Sequence, residues 1–227
     1  MTSRLAAFAF TFGAAFLLQV FPLTAQTAEA THQQMGTNCV HIPEGEKRPD
    51  YGCFLIGSAN NLQFDHPFTY WHLRTFPDRA SAEAAKSAHG VVTEEDGKVW
   101  LSEFGDKEME LRGGTLVAVV GPLQLLPAKT YDAEVAFAVL PPGGRSAVHI
   151  HAGPEAFYVV AGEQCLETPS GARKAGAGQS MSVGPSVPME LNVIGNSVRR
   201  SLVVVIHDST KGFAAASEWK PTGACSK

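Results

Sequence analysis

From Thr115 to His207 the apolar positions fall in short runs broken by glycine and proline: "TLVAVVG", "YDAEVAFAVL", "SAVHIH", "AFYVV", "EQCLETP", "QSMSV", "MELNVI" and "RRSLVVVIH". No 3.6-residue period joins one run to the next. Many short, closely spaced strands bounded by turn formers predict a β-sandwich or barrel. The text before it has another texture. Residues 31–67 are rich in turn formers, as in "IPEGEKRPDYG" and "GSANNLQFDHP", and carry no sustained period. "FTYWHLRTF" and "KVWLSEF" then predict two strands, with β-branched and aromatic residues. Between them "PDRASAEAAKSAHG" predicts a helix, capped by Asp78 or Ser81, filled by alanines and ended by Gly90. The expected order is a small α+β segment over 31–114, a mostly β domain over 115–210 and a C-terminal tail over 211–227. The His-rich stretch has no second copy, so the β-region is one unit rather than a tandem pair.

The first thirty residues change the picture. Arg4 is followed by the apolar run "LAAFAFTFGAAFLLQVFPL", and no further charge occurs until Glu29. A short basic start, an apolar core and small residues at "LTAQTAEA" predict a secretory signal peptide over 1–30, cleaved after Ala25 or Ala30. An uncleaved anchor is the alternative, since about twenty apolar residues can span a bilayer. The mature protein is expected to be secreted or periplasmic, without membrane attachment after cleavage. In that setting four cysteines, Cys39, Cys53, Cys165 and Cys225, permit two disulfides, with three possible pairings. Cys39 with Cys53 would close the loop "CVHIPEGEKRPDYGC", and Cys165 with Cys225 would tie down the chain end. A metal site of Cys39, His41 and Cys53 is the sharper alternative, but paired CxxC spacing is absent. A net charge of −4 and the lack of any basic run speak against nucleic acid or anionic lipid as the main partner.

The candidate chemistry lies in "HIHAGPEAFYVV", residues 149–160. Residues two apart on a strand share a face, so His149 and His151 project together. "AGP" turns the chain, and Glu155 opens the next strand, placed to return a carboxylate to the same spot. Parity extends this face to Phe157 and Val159 on one side and to Ala147 and Arg145 on the other. Two histidines and a carboxylate with other positions open suit Fe(II), while Mn, Ni, Zn or Cu could also sit there. The competing reading is chance: histidines two apart on an exposed strand need no ion.

Residues 143–162, "GGRSAVHIHAGPEAFYVVAG", resemble the first motif of the cupin family. Gly143, His149, His151, Glu155 and Gly162 stand at its fixed positions. The resemblance covers roughly 115–210 and implies a cupin double-stranded β-helix, a jelly-roll barrel preceded by the α+β segment. It is that of a single-domain, type-2-like cupin with an atypical second motif. In "GQSMSVGPSVPMELNV" Gly178 matches, but Gly184, Ser186, Met189 and Val193 replace the expected proline, glycine, histidine and asparagine. Only the histidine is a ligand in the family, so Met189 occupies the possible fourth position. Three outcomes follow: a three-ligand site with an opening, a sulfur ligand suited to copper, or Met189 as packing in a metal-free pocket. Met189 as packing outweighs Met189 as ligand, because methionine in a strand usually fills core. Three convergent ionisable groups would be costly in an empty apolar barrel, which favours one divalent ion on His149, His151 and Glu155.

Arg145 and His207 are weaker pocket candidates alongside Phe157: Arg145 for an anionic substrate, His207 as the end of the last strand. Glu190 should point away by alternation. The resemblance implies dioxygenase-like or isomerase-like chemistry on a small organic substrate, and a homodimer. The alternative function is a metal-free small-molecule binding module without catalysis.

Overall fold

A computed structural model describes residues 34–35, 38–43 and 45–226. The described residues belong to one compact unit. The expected signal peptide lies outside them. The N-terminal part carries β1 (Gln34–Met35), β2 (Val40–His41), the long β3 (Gly52–Leu62) and β4 (Phe68–Phe76). Helix α1 (Arg79–Ala85) follows, then the hairpin of β5 (Gly90–Glu95) and β6 (Lys98–Gly105). Next come β7 (Thr115–Gln124), β8 (Tyr131–Leu140), β9 (Arg145–Ser146), β10 (His149–Ile150) and β11 (Glu155–Ala161). The chain ends with β12 (Glu163–Thr168), β13 (Gly171–Gly176), β14 (Ser180–Val183), β15 (Glu190–Ile194), β16 (Arg199–Asp208), β17 (Ala215–Ala216) and a 3₁₀ turn at Ala224–Ser226.

Of four sheets among the described residues, the two-stranded pair of β10 and β17 is the smallest and the other three form three layers. One is ordered β1-β9-β15-β12-β13, the second β14-β11-β16-β8-β3-β2 and the third β5-β6-β4-β7. The inner faces of the first two enclose a core that includes Ala138, Phe157, Val159, Leu166, Leu191 and Val203. This double-sheet closure is the jelly roll. The outer face of the second sheet packs on the third through Val135, Phe137, Leu202 and Val204 against Trp71, Leu73, Trp100 and Phe104. β8 and β16 are therefore covered on both faces. That is why "YDAEVAFAVL" and "SLVVVIH" read as continuous apolar runs instead of alternating ones.

The expected boundary between residues 114 and 115 does not fall between sheets. β3, within the supposed α+β segment, pairs along β8 in the barrel wall, whereas β7 pairs with β4 in the outer sheet. β3 sits in text read as turn-rich, because two irregularities, between Leu55 and Gly57 and between Ala59 and Leu62, break its alternation. The helix is shorter than its alanines suggest. Asp78 caps it by accepting from Ser81 N at 2.8 Å, but Lys86 is already extended and Gly90 opens β5. The tail is part of the fold as well: β17 pairs with β10, and Cys225 is bonded to Cys165. The other disulfide joins Cys39 to Cys53, which rules out a metal site built on those two thiols. Among the described residues no helix is long and apolar enough to cross a membrane.

Candidate metal centre

β10 and the start of β11 carry the site. His149 exchanges both backbone hydrogen bonds with Met189, at 3.1 and 3.0 Å, so their side chains leave on one face. After His151 the chain turns through Gly153, where an added Cβ would lie 1.7 Å from the carbonyl oxygen of Ile206. Only glycine lets this turn seat against β16, and the turn delivers Glu155 beside the histidines. The ligand atoms of His149, His151 and Glu155 lie within 4.8 Å of one another, a spread of the order one ion bridges. His151 Nε2 and Glu155 Oε2 are 3.5 Å apart. All three side chains are buried.

The hydrogen bonds set the tautomers. His149 Nδ1 lies 2.8 Å from the carbonyl of Ala147 and His151 Nδ1 lies 2.6 Å from that of Phe213. A carbonyl can only accept, so each Nδ1 carries the proton and, in the neutral ring, each Nε2 presents a lone pair. Burial keeps both rings neutral. It lowers His149, and it lowers His151 to about 3 with the neighbouring His149 adding to the effect. Burial also raises Glu155 to about 8, against the attraction of Arg199. His151 Nε2 and Glu155 Oε2 are buried without a hydrogen-bond partner. An unsatisfied imidazole lone pair facing an unsatisfied carboxyl oxygen is what a divalent cation would complete, and the N/N/O donor set suits one.

These groups line a cavity of about 40 Å³ together with Ser146, Phe157, Met189, Leu191, Arg199 and Phe213. Asn38 and the Cys39–Cys53 disulfide close one side of it. Phe157 is thus in the cavity wall. Arg145 is not: its side chain is exposed, and Ser146 faces the cavity instead. Ala147 and Val148 lie outside any strand, so alternation counted back from His149 slips by one. His207 is buried on β16 but does not line the cavity; its Nε2 lies 3.7 Å from Glu134, whose carboxylate raises its pKa against the effect of burial. Glu190 accepts from Asn192 at 3.1 Å, away from the cavity.

Of the charged and aromatic residues lining the cavity, two escaped the sequence reading. Arg199 shares the inward parity of Val203 on β16, a cue the sequence held. Phe213 comes from the supposed tail and had none. Arg199 is 1% exposed, and its Nε donates to Gln164 at 2.8 Å. Burial lowers its pKa to about 9, with Glu155 opposing, so it remains a cation at neutral pH.

Met189 is 1% exposed and touches the cavity as apolar wall. Met189→Leu conserves volume and removes sulfur, so the expected cost is under about 1.5 kcal/mol with unchanged metal content. Denaturation and metal analysis check this; loss of the ion in that variant makes the sulfur a ligand.

Fold and site together define a double-stranded β-helix barrel with a buried two-histidine, one-carboxylate cluster. Solved structures are similar to this chain over roughly a third of its length. A cupin superfamily protein of Desulfitobacterium hafniense is 10% identical over 34% of this chain and 68% of its own, with a TM-score of 0.32. A double-stranded β-helix protein of Klebsiella pneumoniae is 20% identical over 38% and 76%, with a TM-score of 0.34. An oxalate oxidase is 18% identical over 37% of this chain and only 45% of its own length, with a TM-score of 0.33. No family model and no curated protein matches the sequence.

Proposed function

We propose that this chain is an exported jelly-roll protein that holds one divalent metal ion through His149, His151 and Glu155 and acts on a small organic molecule. The observation that supports it is the convergence of buried, partnerless His151 Nε2 and Glu155 Oε2 beside His149. The Nδ1 hydrogen bonds to Ala147 and Phe213 orient both imidazoles before any ion arrives. The walls of Phe157, Leu191, Val203 and Phe213 limit water at the site. Met189 leaves the position of a fourth protein ligand open to substrate. A bound ion supplies Lewis-acid or oxygen-binding chemistry of the dioxygenase or isomerase kind. Two disulfides agree with export into an oxidising compartment.

Elemental analysis tests this reading. Purified protein is expected to hold about one Fe, Mn, Ni, Zn or Cu per chain, lost in His149→Ala while the circular-dichroism spectrum is unchanged. Metal far below stoichiometry after growth with each of these ions would overturn it and leave a metal-free binding module.

A further inference from the structure

One side of the cavity is a single thickness of chain. Asn38, Cys39 and Cys53 line it, yet Asn38 is exposed and both cysteines are only half-buried. The topology explains why so little chain stands there. β1 is the end strand of the first sheet, beside β9, and β2 is the end strand of the second, beside β3. The chain therefore crosses from the edge of one barrel sheet to the edge of the other, and Asn38 and Cys39 lie on that crossing. Its backbone anchors are slight: β1 and β2 each pair with their neighbour over two residues. Short pairings at an exposed edge are where local opening costs least. What fixes the crossing is covalent. Cys39 is bonded to Cys53, which shares the inward face of its cross-strand partner Ala138.

The loop between the two cysteines has an anchor of its own. Arg48 donates to Glu95 at 2.6 and 2.8 Å, and its guanidinium carbon stands 5.0 and 5.6 Å from the ring centres of Phe54 and Phe137. Loss of the disulfide thus frees Asn38–His41 while β3 and the loop keep their seat. The two disulfides also differ in access: Cys165 and Cys225 are buried, whereas Cys39–Cys53 stands between solvent and cavity. We infer that Cys39–Cys53 is a redox latch: a dithiol reductant opens it, Asn38–His41 lifts away, and the cavity is opened to solutes. One thiolate of the reductant attacks a sulfur of the Cys39–Cys53 bond, which breaks, and the second thiol resolves the mixed disulfide. The reductant leaves as its own disulfide, and its two electrons and two protons end on the thiols of Cys39 and Cys53. As control of a metal centre this rests on the metal reading above, but the latch itself is read without an ion.

Diethyl pyrocarbonate, which acylates accessible imidazoles, reads the opening in ion-free protein, with each site quantified by peptide mass spectrometry. Cys39→Ser/Cys53→Ser is labelled beside the wild type, and dithiothreitol-reduced wild type serves in its place should the variant fold poorly. Dithiothreitol is expected to free the thiols of Cys39 and Cys53 before those of Cys165 and Cys225. Acylation of His149 and His151 should rise about 10- to 100-fold without the latch, since a cross-link closing a loop of this length suppresses opening by a comparable factor. His72, buried in the outer sheet, should stay protected. Unchanged protection of His149 and His151 in folded, latch-free protein overturns the inference. So does labelling of His72 in step with them, which means general loosening, or earlier reduction of Cys165–Cys225. Absence of metal in the elemental analysis above overturns the metal reading alone and leaves the acylation result to decide the latch.

Discussion

Glu155→Gln is expected to weaken metal binding by more than about a hundredfold, because it removes a ligand where even supporting groups are worth about 10- to 100-fold. The pH profile carries the distinguishing information. In the ion-free protein burial raises Glu155 to about 8, so its carboxyl holds a proton at neutral pH, whereas in the unfolded chain it ionises near the ordinary 4.5. A cation takes the carboxylate form and must displace that proton. Wild-type affinity therefore rises with pH up to about 8, with proton release on binding, and Glu155→Gln removes this dependence. The linkage to folding has the opposite sense. Between pH 4.5 and 8 the folded ion-free chain binds more protons at this group than the unfolded chain does, so Glu155 makes stability fall as pH rises. His151, lowered to about 3, acts the other way and only below its unfolded value of 6.5. Above 6.5 the raised His207 adds to the fall, so the contribution of Glu155 is read as a difference: from 6.5 to 8 the ion-free wild type should lose stability relative to Glu155→Gln. Isothermal titration of metal in buffers of different ionisation enthalpy, with denaturant melts across this window, gives both readouts. Wild-type affinity in Glu155→Gln would remove the carboxylate from the ligand set.

Glu103→Gln, in the outer sheet, should cost about 3–5 kcal/mol. Arg74 and Glu103 stand on β4 and β6, on the face of the outer sheet turned away from the barrel. Both are almost completely buried, at 1% and 2% exposure. Arg74 donates to Glu103 and to the carbonyls of Arg112 and Gly113, and Glu103 accepts from Ser87 N at 2.8 Å. One ion pair thus fastens both the loop after β6 and the turn after α1 to the sheet. Removing the charge of Glu103 leaves a buried guanidinium uncompensated, and that penalty exceeds the value of the pair itself. At about 2–4 °C per kcal/mol for a chain of this size, the melting temperature should fall by roughly 6–20 °C. The double variant Arg74→Met/Glu103→Leu, which buries no charge, should recover much of that loss. Thermal melts of the single and double variants decide it: single-variant losses near 1 kcal/mol would mean that water already screens the pair.

The barrel strands, the shared face of His149 and His151 and the placing of a carboxylate after "AGP" were legible because they depend on period-2 alternation and turn chemistry. Both are properties of a few consecutive residues. "FTYWHLRTF" and "KVWLSEF" were readable as β4 and β6 for the same reason. What failed was whatever depended on partners distant in the chain. β3 was hidden because its irregularities make sense only against β8, and Arg145 was misplaced because two residues outside any strand reset the alternation. Arg199 and Phe213 reach the cavity because β16 and the segment before β17 are brought to it by pairings across the barrel. The sequence by itself determined which residue types can converge and which face each strand offers. Tertiary structure alone decided which faces found cover, which cation was buried with the acid and how small the cavity became, because those outcomes follow from long-range packing that no local period encodes.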